Sequence, residues 1–303
     1  MRQTAILYLD ESLRRSARAG RHNFIGHLIA VLRESGHDVD LRPEEEAPRH
    51  QRGRAITHMR PPPPGGLCFR RVYHYPFWGI EPTSQRWDWA VAKATYSPET
   101  VPKGPADRIY TRWRSRLFPE ATEGTTQEGF VYVPLQGRLL QHRRFQSCSP
   151  LEMLSHTLVA EPDRQVIAAL HPKEEYSLAE HDALRALQQV HPRLTVQTGG
   201  MEDLLRRCDY VVTMNSAAAF NGFFFGKPAI LFGRIDFHHI TLSASPADLT
   251  AFHRIDTHRP DYARYLWWFW QEQSINAGRP DVRDRIRAAL LRGGWTLTGE
   301  AQR

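Results

Sequence analysis

Hydrophobic positions in the first part of the chain follow two different periods. Residues 4–9 (TAILYL) form a short β-rich run, and the apolar residues within 23–35 recur at helical spacing until Gly36 ends the pattern. Residues 37–41 then have the pattern of a second strand. A strand, a helix and a strand predict a βαβ unit in a parallel sheet, with functional loops at the carboxyl ends of the strands. We therefore expect residues 10–21 to form a loop at the edge of a cleft.

The next eighty residues lack a clear period. Residues 43–66 contain three glutamates, several arginines and four consecutive prolines, a composition typical of an exposed connector. Residues 67–119 are rich in aromatic side chains, which we interpret as packing within the first lobe, with sugar stacking as the alternative. The polar residues 120–128 predict a linker between two lobes.

Strict alternation of strand and helix patterns begins after this linker. The sequence predicts strands at 130–134, 166–170, 194–197, 210–214 and 229–232, separated by helices at 150–158, 177–190, 201–207 and 217–225. Such alternation predicts a doubly wound α/β lobe.

Two helices are expected in the tail, at residues 261–273 and 282–291. Apolar residues on adjacent positions, including Trp267, Trp268 and Trp270, suit a helix buried on several sides that packs back across both lobes. The alternative is an aromatic patch at a membrane surface.

Length and composition are those of a globular protein with two domains, which we place at residues 1–125 and 126–303. Three separated cysteines and short apolar runs predict a reduced, cytoplasmic protein without a signal peptide, and peripheral attachment to the inner membrane stays open. The net charge of +7 indicates an anionic partner. Because the arginines are dispersed and no nucleic-acid-binding motif is present, we do not expect that partner to be nucleic acid.

A first candidate binding motif follows the strand at 166–170. His171, Pro172 and Lys173 stand at its carboxyl end, where a histidine and a lysine can hydrogen-bond or neutralise a phosphate. The alternative is a simple turn in which Pro172 ends the strand.

A second motif follows the strand at 210–214. Asn215, Ser216 and Ala217 begin a helix of small residues, which places free backbone N–H groups and a hydroxyl at the positive end of the helix dipole. Simple capping of the helix by Asn215 or Ser216 is the alternative. Gln136, in the segment Val133-Pro134-Leu135-Gln136-Gly137, ends the first strand of the same lobe and is expected at the same edge.

These elements occur in the order of a known family. The segments VPLQ (133–136), LHPKE (170–174) and CDYVVTMNSAAAFNGFFFGKPAILF (208–232) resemble capsular polysaccharide biosynthesis glycosyltransferases related to bacterial β-Kdo transferases. The resemblance covers the second half of the chain well and the first half in outline. One departure is the absence of an acidic residue soon after Gln136, where Gly137 and Arg138 stand.

The resemblance implies a GT-B fold, with two Rossmann-like lobes and a central cleft, and transfer of Kdo or a related ulosonic acid from a CMP donor. His171, Pro172, Asn215 and Ser216 would then bind the nucleotide phosphate, with Gln136, Lys173 and Ala217 beside them. The acceptor would be a capsule or surface polysaccharide or glycolipid. Two alternatives are a UDP-sugar or GDP-sugar enzyme of the same fold and a non-catalytic scaffold of a polysaccharide assembly complex.

Glycosyl transfer also requires a base for the acceptor hydroxyl. Asp10 is the first candidate and Glu11 the second, because both follow the first strand of the first lobe. The alternative is that they cap the following segment or pair with Arg14 and Arg15. No metal site or cofactor is expected, since no D-x-D motif lies near the phosphate-binding segments and adjacent histidines such as His238 and His239 rarely bind one ion.

Overall fold

The computed structural model describes residues 3–48 and 54–297, and it divides the chain into two compact units. The first unit comprises Met1–Ala94 and Trp268–Arg303, and the second comprises Thr95–Trp267. This division differs from the predicted boundary at residue 125, and the end of the chain belongs to the first unit. The predicted linker at 120–128 lies within the second unit, where the backbone N–H groups of Thr126 and Glu128 donate to the carbonyls of Arg206 and Arg207 at 2.9 and 3.0 Å.

The first unit is built on a six-stranded sheet. Its strands are β1 (Gln3–Leu9), β2 (His37–Pro43), β3 (Ala55–His58), β4 (Leu67–Arg71), β5 (Phe77–Glu81) and β12 (Ile275–Asn276), in the order β12-β5-β4-β3-β1-β2. The first four are parallel to one another, whereas β5 is antiparallel to both of its neighbours, β4 and β12. Its helices are α1 (Glu11–Arg18), α2 (Asn23–Glu34), α3 (Ala90–Lys93) and α12 (Val282–Arg292).

The structure confirms the βαβ unit and corrects three expectations around it. Residues 11–18 form a helix, where we expected a loop, because Asp10 caps it and accepts a hydrogen bond from the Leu13 backbone N–H at 2.9 Å. The predicted connector at 43–66 contains the buried strand β3, and the region expected to be irregular contains β4 and β5. These three short strands form by pairing with strands elsewhere in the chain, which no local period reveals.

The aromatic tail belongs to the protein interior. Its first predicted helix is α11 (Tyr262–Trp267) followed by a π-helical turn, Trp268–Glu272. Within that turn Trp268, Phe269 and Trp270 are buried, and Trp270 stacks on Phe77 with ring centroids 4.4 Å apart. The interpretation as core is therefore confirmed for these residues over that of a membrane-surface patch. Within residues 3–48 and 54–297, no helix combines the length and the apolar character needed to cross a membrane.

The second unit contains the predicted α/β alternation. Its strands are β6 (Phe130–Leu135), β7 (Gln165–Leu170), β8 (Leu194–Thr198), β9 (Tyr210–Thr213), β10 (Ala229–Leu231) and β11 (Leu242–Ser243). Its helices are α4 (Lys103–Leu117), α5 (Pro119–Thr122), α6 (Pro150–Ala160), α7 (Leu178–Val190), α8 (Met201–Arg207), α9 (Ala217–Gly222), α10 (Ala251–Arg254) and α11. All paired strands are parallel.

The order of these strands fixes the position of the functional edge. It is β11-β10-β9-β6-β7-β8, so the chain builds outward from β6 on one side and then returns to continue from β9 on the other. The reversal lies between β6 and β9. In an open parallel sheet, the carboxyl ends of the two strands at such a switch point flank a crevice that binds ligands.

Candidate functional site

A cavity of about 280 Å³ lies at this edge of the second sheet. Five of the seven predicted donor-binding residues line it: Gln136, His171, Pro172, Ser216 and Ala217. Of the other two, Asn215 lines an adjoining recess together with Gln136 and Ser216, whereas Lys173 is exposed and lines neither space. The carboxyl ends of three parallel strands bring these segments together.

His171 is held at the end of β7 by hydrogen bonds on both sides. Its backbone N–H donates to the Tyr176 hydroxyl at 2.9 Å, and that hydroxyl lies 3.3 Å from the Leu135 carbonyl, to which it donates. The His171 Nδ1 accepts from the Lys173 backbone N–H at 3.2 Å. A neutral imidazole with Nδ1 as acceptor carries its proton on Nε2, so His171 offers one N–H donor to a ligand.

Ser216 caps the short helix α9, as the alternative interpretation held. Its Oγ accepts from the Ala218 backbone N–H at 3.2 Å, while its own N–H donates to the Thr213 hydroxyl at 3.4 Å. Both Asn215 and Ser216 are partly exposed beside the cavity. The capping interpretation is therefore confirmed, and the serine hydroxyl still has a donor hydrogen available for a ligand.

The segment after β6 has an unusual backbone. Gly137 and the non-glycine Arg138 both adopt positive φ angles, 39° and 49°. A residue with a side chain is uncommon in this conformation, and such positions concentrate at functional sites. The Leu139 N–H that follows donates to the buried carboxylate of Glu180, which holds the segment against α7.

Several residues of the site are not among the predicted donor-binding residues. Met201 and Asn221 line the main cavity, and Arg143 lines the recess with Asn215. Arg143 precedes α6 and belongs to no motif, so only the folded structure brings it beside Gln136. Gly199, in the turn before α8, lines the cavity as well.

In the first unit, Asp10 lies at the carboxyl end of β1 as predicted. One oxygen caps α1, and the other is 3.7 Å from the Nδ1 of His58 at the end of β3. Burial lowers the pKa of His58 to about 4, although Asp10 acts in the opposite direction, so this imidazole is neutral near pH 7. Glu11 is exposed and pairs with Arg14, as the alternative interpretation held.

Lys227 of the Gly226-Lys227-Pro228 segment has a structural role. Its buried ammonium group donates to the carbonyls of Thr126 and Cys208 at 2.5 and 2.6 Å. The His238–His239 pair does not line the cavity either. Across the part of the chain that the structure describes, no three histidine, cysteine or acidic side chains are grouped so that they could hold a metal ion.

Comparison with known families gives one decisive match. A model described as capsule polysaccharide biosynthesis protein matches residues 107–263, slightly more than half of the chain. The chain belongs to this family. The matched residues contain every segment that lines the cavity and confirm the resemblance found in the sequence. Comparison with curated protein sequences gives no match.

Two solved structures are similar to this capsule-biosynthesis family member. A Thermosulfurimonas dismutans KpsC structure described as β-Kdo 2,7 transferase has a TM-score of 0.51 at 12% identity, covering 87% of this chain and 89% of that chain. A second, described as β-Kdo 2,4 transferase of the same organism, has a TM-score of 0.47 at 13% identity, covering 88% and 90%. The first of these likenesses establishes a shared α/β fold with two sheets rich in parallel strands.

Proposed function

We propose that the protein is a glycosyltransferase of the GT-B type. It would transfer Kdo or a related ulosonic acid from a CMP donor to a polysaccharide or glycolipid acceptor of the capsule. One observation carries this proposal: the cavity at the switch point of the second sheet collects Gln136, His171 and Ser216 from three separate strand ends. The family match supports the reaction class, and the Kdo transfer named for the KpsC structure of similar fold supports the choice of donor sugar.

Each of these groups supplies hydrogen-bond donors for the nucleotide phosphate. The Nε2–H of His171 and the Ser216 hydroxyl would stabilise the negative charge that develops when the phosphate leaves the sugar. Asn215 would add an amide N–H from the adjoining recess, and Pro172 and Ala217 would shape the cavity. Lys173, exposed beside this site, would attract the anionic donor. The proposal includes no metal ion or cofactor.

The acceptor hydroxyl requires a proton acceptor, and we propose that Asp10 and His58 provide it together. The imidazole of His58 is neutral near pH 7 and can accept a proton, whereas Asp10 has one oxygen engaged in capping α1. Its second oxygen faces His58 and would stabilise the imidazolium. Glu11, exposed and paired with Arg14, is the weaker candidate.

Nucleotide binding tests the donor assignment. We expect CMP to raise the melting temperature of the purified protein more than CDP, UDP or GDP, because a ligand at a hundred times its Kd adds about 2.7 kcal/mol to the free energy of unfolding. His171→Ala should remove this stabilisation.

The chain contains a matched control for that variant. His191 is also followed by a proline, but it caps the end of α7 before β8 and does not line the cavity. His191→Ala should therefore respond to CMP as the wild type does. Stabilisation by UDP or GDP alone would favour the UDP-sugar or GDP-sugar alternative, and no response to any nucleotide would favour a non-catalytic scaffold.

A further inference from the structure

The recess beside the main cavity contains an arginine that the proposed function does not use. Arg143, Asn215 and Met214 line it, and it shares Gln136 and Ser216 with the main cavity. Its volume is about 10 Å³, roughly the space occupied by one water molecule. A small oxygen-bearing group fits such a space, whereas a sugar or base ring does not.

The segment around Arg143 is fixed by its neighbours. Its backbone N–H donates to the Gln146 side-chain oxygen at 2.7 Å, and the Gln146 N–H donates back to the Arg143 carbonyl at 2.9 Å. The guanidinium lies over the Phe145 ring, 4.9 Å from its centroid. The Phe145 carbonyl in turn accepts from the Arg234 N–H at 2.8 Å, which connects this loop to the segment after β10. The arginine is therefore positioned before any ligand arrives.

Arg143 forms no ion pair within the described residues, and only its attraction to Glu174 favours its charge. Its Nε is buried without a hydrogen-bond partner, and neither Arg143 nor Arg138 forms an ion pair with any residue in 3–48 or 54–297. Burial and the nearby Arg138 charge lower the pKa of Arg143, while Glu174 acts in the opposite direction. Arginine nevertheless stays protonated in proteins. A half-buried charge beside a like charge is unfavourable unless an anion binds it.

We propose that Arg143 binds an anionic oxygen of the donor substrate in the recess beside the main cavity. The inference rests on the proposed function, because the ligand in the main cavity is the donor of that reaction. A guanidinium presents paired N–H groups that match either a phosphate or a carboxylate. A CMP-linked ulosonic acid contains both groups, the phosphate on the nucleotide and the carboxylate on the sugar.

Isothermal titration calorimetry of the full chain separates these two sources. The probes are cytidine, which has no anionic group, CMP, which has the phosphate, and CMP-N-acetylneuraminic acid, which adds a sugar carboxylate. The variant is Arg143→Gln. The control is Arg185→Gln, which removes the same charge from an exposed position on α7 where the arginine pairs with Asp182.

Arg143→Gln should weaken binding of the anionic probes by about 10- to 100-fold, the loss expected for a hydrogen bond between charged groups. Cytidine binding should not change, and Arg185→Gln should bind all three probes as the wild type does. An equal loss for CMP and CMP-N-acetylneuraminic acid assigns the phosphate to Arg143. A loss for CMP-N-acetylneuraminic acid alone assigns the carboxylate.

Affinities of Arg143→Gln within twofold of wild type for both anionic probes would overturn the inference. If the wild type binds UDP or GDP instead of CMP, the donor assigned under the proposed function is wrong. The role of Arg143 is then tested by comparing the affinities of Arg143→Gln and Arg185→Gln for that nucleotide. Absence of binding to every nucleotide would refute both the donor assignment and the role of Arg143.

Discussion

Two partly exposed arginines at opposite ends of the second sheet have opposite surroundings. Arg164 stands at the amino end, directly before β7, and its guanidinium pairs with Glu161, Asp209 and Asp256 at 3.0, 2.8 and 2.7 Å. Arg143 lies at the carboxyl end and pairs with no carboxylate of the described chain. The same side chain thus has three carboxylate partners at one end and no ion-pair partner among the described residues at the other.

The surroundings of Arg164 indicate a role in stability, whereas those of Arg143 leave its charge available to a ligand. At the amino end, Asp209 also accepts from the Gly129 N–H at 3.0 Å, so the Arg164 cluster connects the segments that lead into β6, β7 and β9. These ion pairs stabilise the sheet, and the charged groups that form them are not available to a ligand. At the carboxyl end, the polar groups of Gln136, His171 and Arg143 remain available. In this unit, the carboxyl ends of the strands, where the candidate site lies, are the ends at which Arg143 has no ion-pair partner among the described residues.

The largest loss of stability is expected when the ion pairs of Arg164 at the amino end of the second sheet are removed. Arg164→Met should lower the free energy of unfolding by about 2 to 4 kcal/mol, because it leaves the buried carboxylates of Glu161 and Asp209 without their partner. Urea unfolding measures this loss. CMP affinity, measured where the variant is still folded, should stay at the wild-type value. A loss below about 1 kcal/mol, or a variant that folds normally but binds CMP weakly, would remove the distinction between the two ends.

Sequence patterns predicted the second unit well because its main strands and helices can be recognised from the residues within each element. Each of the strands β6 to β9 is followed by a helix, and Met201–Arg207 has the bounds that the pattern predicts. The first unit was predicted only for β1, α2 and β2 near its start and for α12, expected at 282–291, near its end. Strand β3 has four residues and pairs with β1 and β4, and β12 reaches β5 from the other end of the sequence.

The residues of the candidate site likewise divide into those that sequence patterns predicted and those that only the folded structure brings together. His171 and Ser216 follow predicted strands directly, so the topology of a parallel sheet was enough to predict their edge. Arg143 stands several residues after β6 in an irregular loop, and its position depends on contacts with Gln146 and Phe145. The pairing of Asp10 with His58 likewise depends on the adjacency of β1 and β3, which the sequence did not reveal.

A smaller loss of stability is expected at Glu180, whose carboxylate supports the edge of the second sheet where the candidate site lies. This buried group accepts from the backbone N–H groups of Leu139 and Ser177. Burial opposes its ionisation, but these hydrogen bonds lower the pKa of Glu180 below 4.5. Glu180→Gln should lower the free energy of unfolding by about 1 to 2 kcal/mol at pH 7.

The pH dependence of that difference follows from the direction of the shift. A carboxyl group with a lowered pKa in the folded state contributes stability above its unfolded pKa, and this contribution disappears as the pH falls through the folded value. The wild type and Glu180→Gln should therefore converge in urea unfolding below pH 4.5. A constant difference between pH 7 and pH 3.5 would show that the glutamate contributes through shape and not through its charge.

The smallest change in stability is expected at Arg143, and it completes the comparison with Arg164. Arg143→Met removes a charge that has no ion-pair partner, so the free energy of unfolding should stay within about 0.5 kcal/mol of wild type or increase. Urea unfolding without ligand measures this change in the free energy of unfolding. With CMP or CMP-N-acetylneuraminic acid added, the wild type should gain more stability than the variant. A loss of 2 kcal/mol or more without ligand would mean that Arg143, like Arg164, is a structural charge, because the same arginine-to-methionine change would then destabilise both ends of the sheet.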